Sequence, residues 1–138
     1  MRINIYYKSI FGSTKKYANW LNQSVESNLH KFRDINKNNI DKSQIVVVMS
    51  GTYAGQMPLI NFLKNNWDIF KDKIVIVVAV GAIPAEDDQN KASYDLIPDE
   101  IKDKIQFFKL PGKLLNPNKD SVKKENLLPI IKIIKDIK

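Results

Sequence analysis

Small residues gather in three short segments, each directly after an apolar run of the sequence, and two of these segments also carry hydroxyl groups. The first segment carries Ser9, Gly12, Ser13 and Thr14 after residues 3–7. A turn of this kind that leads into a helix can hold a phosphate, because the first helical N–H groups have no intrahelical acceptor and the helix dipole favours an anion. A glycine there lets the backbone approach the ligand closely. The same turn can also be a plain helix cap, with Ser13 as the N-cap residue.

The other two segments follow longer apolar runs. Residues 50–55, Ser-Gly-Thr-Tyr-Ala-Gly, follow the run at 45–49, and residues 81–88 follow the run at 74–80. Continuous apolar runs are typical of strands buried on both faces of a parallel sheet. Because ligands of such sheets bind outside the carboxyl ends of the strands, the sequence predicts that the three segments line one site.

The elements that must position these segments alternate between strand and helix. Alternating or continuous apolar stretches predict strands, and apolar residues three or four positions apart predict helices. The expected strands are residues 3–7, 32–35, 45–49, 74–80 and 105–110, and the expected helices are residues 14–29, 58–70 and 127–137. The polar residues 36–43 are predicted to form a loop. This alternation predicts a three-layer α/β/α sandwich around a parallel sheet, in a single domain over residues 1–138.

The composition excludes several classes of site. The chain has no cysteine, so disulfides, zinc–thiolate sites, iron–sulfur clusters and thiol nucleophiles are ruled out. Its single histidine, His30, is predicted to lie at a helix end rather than to serve a hydrolase, and no metal-ligand spacing is found. The longest apolar run is too short to cross a bilayer, so we expect a cytoplasmic protein without an integral membrane segment. Trp20 and Trp67 fall in helical runs and are expected in the core.

The three segments, taken in order, resemble those of a known family. Residues 9–18, SIFGSTKKYA, resemble the phosphate-binding loop of flavodoxins, roughly [ST]-x-[ST]-G-x-[ST], with Phe11 in place of the middle hydroxyl residue. Residues 50–58, SGTYAGQMP, resemble the second flavin loop of the flavodoxin-domain family that includes menaquinone-dependent protoporphyrinogen oxidase. Residues 97–114 resemble the last strand of that family and the segment after it, so the resemblance covers most of the chain.

This resemblance implies one flavodoxin-like domain with a five-stranded parallel sheet in the order 2-1-3-4-5, and non-covalently bound FMN. It implies electron transfer or a small FMN-dependent oxidoreduction, with a redox partner protein or a quinone-like acceptor. The FMN phosphate would be held by Ser9, Phe11, Gly12, Ser13 and Thr14. One side of the isoalloxazine ring would be lined by Thr52, Tyr53, Ala54 and Gly55, with Tyr53 as the ring neighbour, and the other side by Gly81, Ala82 and Asp87.

The charge of the chain departs from the usual acidic character of flavodoxins. Lys and Arg total 22 against 15 Asp and Glu, a net charge of +7, so docking on a basic reductase is not expected. The excess leaves two other interpretations open: a cofactor-free module that acts as a basic binding or interaction domain, or a plain bias towards Lys, Asn and Ile. Because the lysines are scattered, no nucleic-acid partner is expected.

Two more specific activities are weighed against the sequence. A response-regulator receiver domain shares the sheet topology, but Tyr7-Lys8-Ser9 and Met49-Ser50 stand where its acidic cluster and phosphoacceptor Asp would be. Oxidation of protoporphyrinogen is left open. Only ten residues separate Leu110 from Ser121, too few for the long segment that those oxidases carry before the last helix.

Overall fold

The computed structural model describes residues 2–9, 12–51, 58–81, 95, 97–112 and 122–137. Five parallel strands form one sheet in the order β2-β1-β3-β4-β5, which confirms the order that the family resemblance implied. The strands are β1 (Ile3–Lys8), β2 (Asn28–Lys31), β3 (Ile45–Gly51), β4 (Ile74–Gly81) and β5 (Ile105–Pro111).

Helices cover both faces of this sheet. They are α1 (Ser13–Ser24), α2 (Lys37–Asp41), α3 (Pro58–Phe70), α4 (Asp99–Lys102) and α5 (Leu128–Asp136). Apolar residues of α1 and α5 pack on one face of the sheet, and those of α2, α3 and α4 pack on the other. This arrangement is the expected three-layer α/β/α sandwich. Within the described residues no helix is both long and apolar enough to cross a membrane.

The uninterrupted apolar sequences of the central strands follow from their burial. All seven residues of β3 are buried, because helices cover the sheet on both sides. Along β3, Val46 and Val48 face the layer of α3, whereas Val47 and Met49 face the layer of α1. The expected core residues Trp20 and Trp67 are partly buried and pack against opposite layers. The helix layers on both sides of the sheet therefore share β3 as part of their cores.

The first helix is shorter than its apolar spacing indicates. The expected helix over residues 14–29 ends at Ser24, and Val25 is already extended. The Ser27 hydroxyl donates to Asn22 Oδ1 at 2.7 Å and also lies 3.1 Å from the Val25 carbonyl, and such local contacts compete with helix continuation. Leu29 falls on the helical spacing, but it lies in β2 and packs on the same core.

The second strand and the loop after it also differ from expectation. The expected strand at 32–35 is wrong, because β2 ends at Lys31 and Phe32–Asp34 forms a 3-10 turn. That turn brings the Phe32 ring onto Phe62, with centroids 4.0 Å apart and planes 8° apart. The expected loop at 36–43 contains α2, whose N-cap Asn36 accepts a hydrogen bond from Asn38 N–H.

His30 lies in the edge strand β2, not at a helix end as the sequence indicated, and it joins a polar network. Its Nε2 is 2.9 Å from Asn4 Oδ1, which only accepts, so Nε2 carries the proton. Asn4 Nδ2 donates to Ser43 Oγ at 2.6 Å, and Ser43 Oγ donates to the Asn39 carbonyl. The Tyr6 ring stacks on His30 at 4.9 Å. The network thus links β2, β1 and the end of α2.

This environment predicts a pH dependence of stability. Burial lowers the pKa of His30 below its usual 6.5, and the negative charge of Asp34 offsets only part of that shift. The unfolded chain therefore takes up the proton first, so the free energy of unfolding falls as the pH drops below about 6.5. Urea unfolding between pH 7.5 and 5.5 measures this loss. His30→Gln keeps an N–H donor for Asn4 and should flatten the profile. An equally steep profile in that variant would assign the loss to other groups.

Candidate functional site

The carboxyl ends of the central strands meet at one edge of the sheet. Lys8 at the end of β1 lies opposite Ser50, and Gly51 at the end of β3 lies opposite Val80. Gly81 ends β4 and is buried. The turn after β1 and the segments that follow Gly51 and Gly81 in the sequence therefore start from neighbouring positions, as expected for one ligand site.

Gly12 gives the turn after β1 its shape. Its φ of +94° is the left-handed conformation that favours glycine, and it is the N-cap of α1. The expectation that Ser13 caps this helix is wrong, because Ser13 is already the first helical residue. The Gly12 N–H donates to Ser9 Oγ at 3.1 Å, which ties the turn to the end of β1. A Cβ placed on Gly12 would meet no atom within 4 Å, so the backbone borders open space.

The start of α1 has the groups that an anion needs. No side chain caps this helix, and its first internal hydrogen bond joins Lys16 N to the Gly12 carbonyl. The N–H groups of Thr14 and Lys15, which precede Lys16, thus have no acceptor within the helix. Thr14 is only 2% exposed, and its hydroxyl makes no hydrogen bond to the described part of the chain. An open glycine turn, a helix N-terminus and an available hydroxyl fit a phosphate group.

A cleft of about 440 Å³ opens beside this turn, between the ends of β1 and β2. Tyr7, Ser9, Gly12 and Phe32 contribute the uncharged part of its lining. Among the described residues, the charged side chains of the lining are all basic: Lys8, Lys15, Lys31 and Arg33. These side chains give the cleft a positive potential next to the open glycine turn.

Tyr17 connects α1 to the end of the edge strand β5. Its ring is fully buried, and its hydroxyl donates to the Pro111 carbonyl at 2.6 Å. Asn126 Nδ2 donates to the same hydroxyl at 3.0 Å. Tyr17 lies four residues after Ser13, so these bonds fix the first turns of α1 against the end of β5 and the 3-10 turn Lys124–Leu127.

A second titratable group lies near this edge of the sheet. Lys109 on β5 is opposite Ala79, two residues before the end of β4. Burial lowers the pKa of Lys109 to about 8. At mildly alkaline pH a sizeable fraction of this amine is therefore neutral, unlike an ordinary surface lysine.

The structure brings together only part of the residue set that the sequence indicated. Ser9, Gly12, Ser13 and Thr14 lie together in the turn and the first helical turn, and Gly81 lies at the same edge. Seven expected residues lie outside the described part of the chain: Phe11, Thr52, Tyr53, Ala54, Gly55, Ala82 and Asp87. Lys31, Phe32 and Arg33 were missed as neighbours of the turn, because β2 was expected four residues later.

The comparisons with known proteins agree with this geometry. Residues 4–138 match the Flavodoxin domain family. No curated protein matches the sequence. The structure is similar to a flavodoxin from the domain Archaea, at 16% identity and a TM-score of 0.66 over 99% of this chain and 96% of that chain.

Two bacterial flavodoxins are similar in the same way. For the Streptococcus pneumoniae TIGR4 flavodoxin the identity is 14% and the TM-score 0.66, covering 99% of this chain and 97% of that one. For oxidised Flavodoxin 2 from Bacillus cereus the identity is 17% and the TM-score 0.63, covering 98% and 99%. At these identities the structural similarity shows the fold alone. Because the family match spans nearly the whole sequence, the chain belongs to the Flavodoxin domain family.

Proposed function

We propose that this protein binds FMN and passes electrons through it, as a carrier or a small FMN-dependent oxidoreductase. The observation that carries the proposal is the open, positive-φ turn at Gly12, the N-cap of α1, where no side chain caps the helix. The flavodoxins among the structural neighbours and the family match support it. When bound, the flavin supplies the redox chemistry, and the protein has to bind and orient it.

Each residue of the turn has a distinct part in this proposal. The Gly12 backbone makes room for the phosphate, and the N–H groups of Thr14 and Lys15 donate to its oxygens. Thr14 adds a hydroxyl donor from an almost fully buried position. By resemblance, Phe11 and Ser13 complete the phosphate turn. By the same resemblance the flavin ring would lie between the segment Thr52, Tyr53, Ala54, Gly55 and the segment Gly81, Ala82, Asp87.

The proposal includes the redox partner and the cellular compartment. The net charge of +7 suits an acidic redox partner protein, and a quinone-like acceptor is the alternative. A cysteine-free chain is in keeping with a reducing cytoplasm. We treat residues 1–138 as one working domain. The link to menaquinone-dependent protoporphyrinogen oxidase rests on sequence resemblance alone, so activity on porphyrinogens is a separate question for assay.

The first experiment is a visible spectrum of purified protein after FMN is added and unbound flavin is removed. Flavin absorbance near ~450 nm, retained at about one flavin per chain, is the expected result. Thr14→Ala should weaken FMN binding roughly tenfold, since one donor to a charged group is lost. Ser24→Ala removes a hydroxyl from the other end of the same helix, where it donates to the Trp20 carbonyl, and should leave FMN affinity unchanged.

The alternative is a cofactor-free module that binds an anionic macromolecule. The basic cleft and the net charge favour it over other non-redox functions. A colourless protein that does not take up FMN, but binds nucleic acid with a steep salt dependence, would replace the redox proposal with this one.

A further inference from the structure

The basic cleft lies on one side of β1, and the strands that precede the expected flavin-ring segments lie on the other side. In the strand order β2-β1-β3-β4-β5, the cleft lies between the ends of β1 and β2. The segments expected around the ring follow β3 and β4, on the other side of β1. The Gly12 turn, which follows β1, lies between the two. A ligand phosphate in this turn would therefore have the ring on one side and the cleft on the other.

Two of the four basic residues of the cleft lie on the wall opposite the turn. Lys31 ends β2 and Arg33 lies in the 3-10 turn after it, so both belong to the wall opposite Gly12. Arg33 is 3.9 Å from Asp34, but both side chains are well exposed, so this ion pair neutralises little. Lys31 makes no ion pair within the described residues. The far wall thus attracts an anionic group of its own, in addition to one in the turn.

The cleft also has an aromatic wall that is already in position. Tyr7 also lines the cleft, but it is only 8% exposed and packs in the layer of α1, so the exposed aromatic surface is that of Phe32, whose ring is stacked on Phe62. Packing on a second ring holds Phe32 in one orientation before any ligand arrives. A concave cleft of about 440 Å³ is in the size range of small-molecule sites, unlike the flat faces of most protein interfaces. Basic side chains beside a fixed aromatic ring suit a phosphate joined to a nucleoside.

We propose that this cleft binds the nucleotide half of a dinucleotide, so that the site accepts FAD as well as FMN. This inference rests on the proposed flavin function and names a second ligand for the same site. The flavin-side phosphate lies in the Gly12 turn, and the second phosphate lies between Lys31, Arg33 and Lys15. The nucleoside packs against Phe32. The contacts to the second phosphate are absent when FMN is bound.

The test compares the affinities of the purified chain for FMN and FAD by flavin-fluorescence titration at fixed salt. Wild-type protein should bind FAD at least as tightly as FMN. The double variant Lys31→Ala/Arg33→Ala should lose roughly tenfold in FAD affinity and less than about threefold in FMN affinity. The control Lys132→Ala/Lys135→Ala removes the same charge from exposed positions on α5 and should change neither affinity.

The outcomes separate this inference from the proposed function. FMN binding with FAD at least tenfold weaker, or an equal loss for both flavins in the Lys31/Arg33 variant, would overturn the dinucleotide inference and leave the flavin proposal standing. Equal losses in the control variant would show that net charge, not the cleft, sets the affinity. If neither flavin binds, the proposed function fails and this inference fails with it.

Discussion

Gly12→Asn should fold as stably as the wild type and yet lose FMN affinity by at least about a hundredfold, whereas Gly12→Ala should lose both. At φ +94° an alanine costs roughly 1–2 kcal/mol in backbone strain, but asparagine tolerates this conformation at a much lower cost. Both side chains project into the open space beside the turn. That space is where the phosphate must lie if the helix N-terminus binds it, so several charge-assisted contacts are lost together.

Two measurements check this pair of variants. Urea unfolding without ligand reports the backbone strain, and FMN titration reports the site. Because the backbone strain is much larger in the alanine variant, stability and FMN affinity should change together there, whereas only the affinity should fall in the asparagine variant. An asparagine variant that binds FMN like the wild type would place the phosphate elsewhere. Unchanged stability in the alanine variant would mean that the turn relaxes away from its positive φ.

The central sheet could be predicted because its physical cause is present in the sequence. Strands β3 and β4 are buried on both faces, so their sequences are unbroken apolar runs that no exposed helix or loop would carry. Strand β2 could not be predicted in this way. It has only four residues, Asn-Leu-His-Lys, and none of them is fully buried. Its place depends on pairing with β1 and on the His30–Asn4 hydrogen bond, which are contacts between distant parts of the chain.

The candidate site was also predicted only in part. A hydroxyl-rich turn between a strand and a helix could be read from the order of residues, and Ser9, Gly12 and Thr14 do lie there. The N-cap was predicted at Ser13 but is Gly12. Serine is a more frequent N-cap than glycine, and the sequence does not show that Gly12 has a positive φ. The proximity of Lys31 and Arg33 to the turn could not be predicted, because it depends on how β2 pairs with β1. A four-residue error in an edge strand thus concealed the basic cleft.

Tyr17→Ala should destabilise the fold by about 3–5 kcal/mol, the usual cost of removing a buried aromatic side chain. Tyr17 is fully buried in the layer of α1 and α5, and its hydroxyl bridges the Pro111 carbonyl and the Asn126 side chain. Tyr17→Phe keeps the ring and removes the bridge, so it should cost about 1–2 kcal/mol. Urea unfolding of the three proteins separates the ring from the hydroxyl.

The same two variants test whether Tyr17 positions the phosphate turn. Because the ring fixes where α1 lies on the sheet, Tyr17→Phe should keep FMN affinity within about threefold of the wild type. Tyr17→Ala leaves the helix without that packing and should weaken FMN binding even where the protein is still folded. If Tyr17→Phe instead loses affinity as strongly as Tyr17→Ala, the hydroxyl bridge to the end of β5, rather than packing, holds the start of α1 in its binding position.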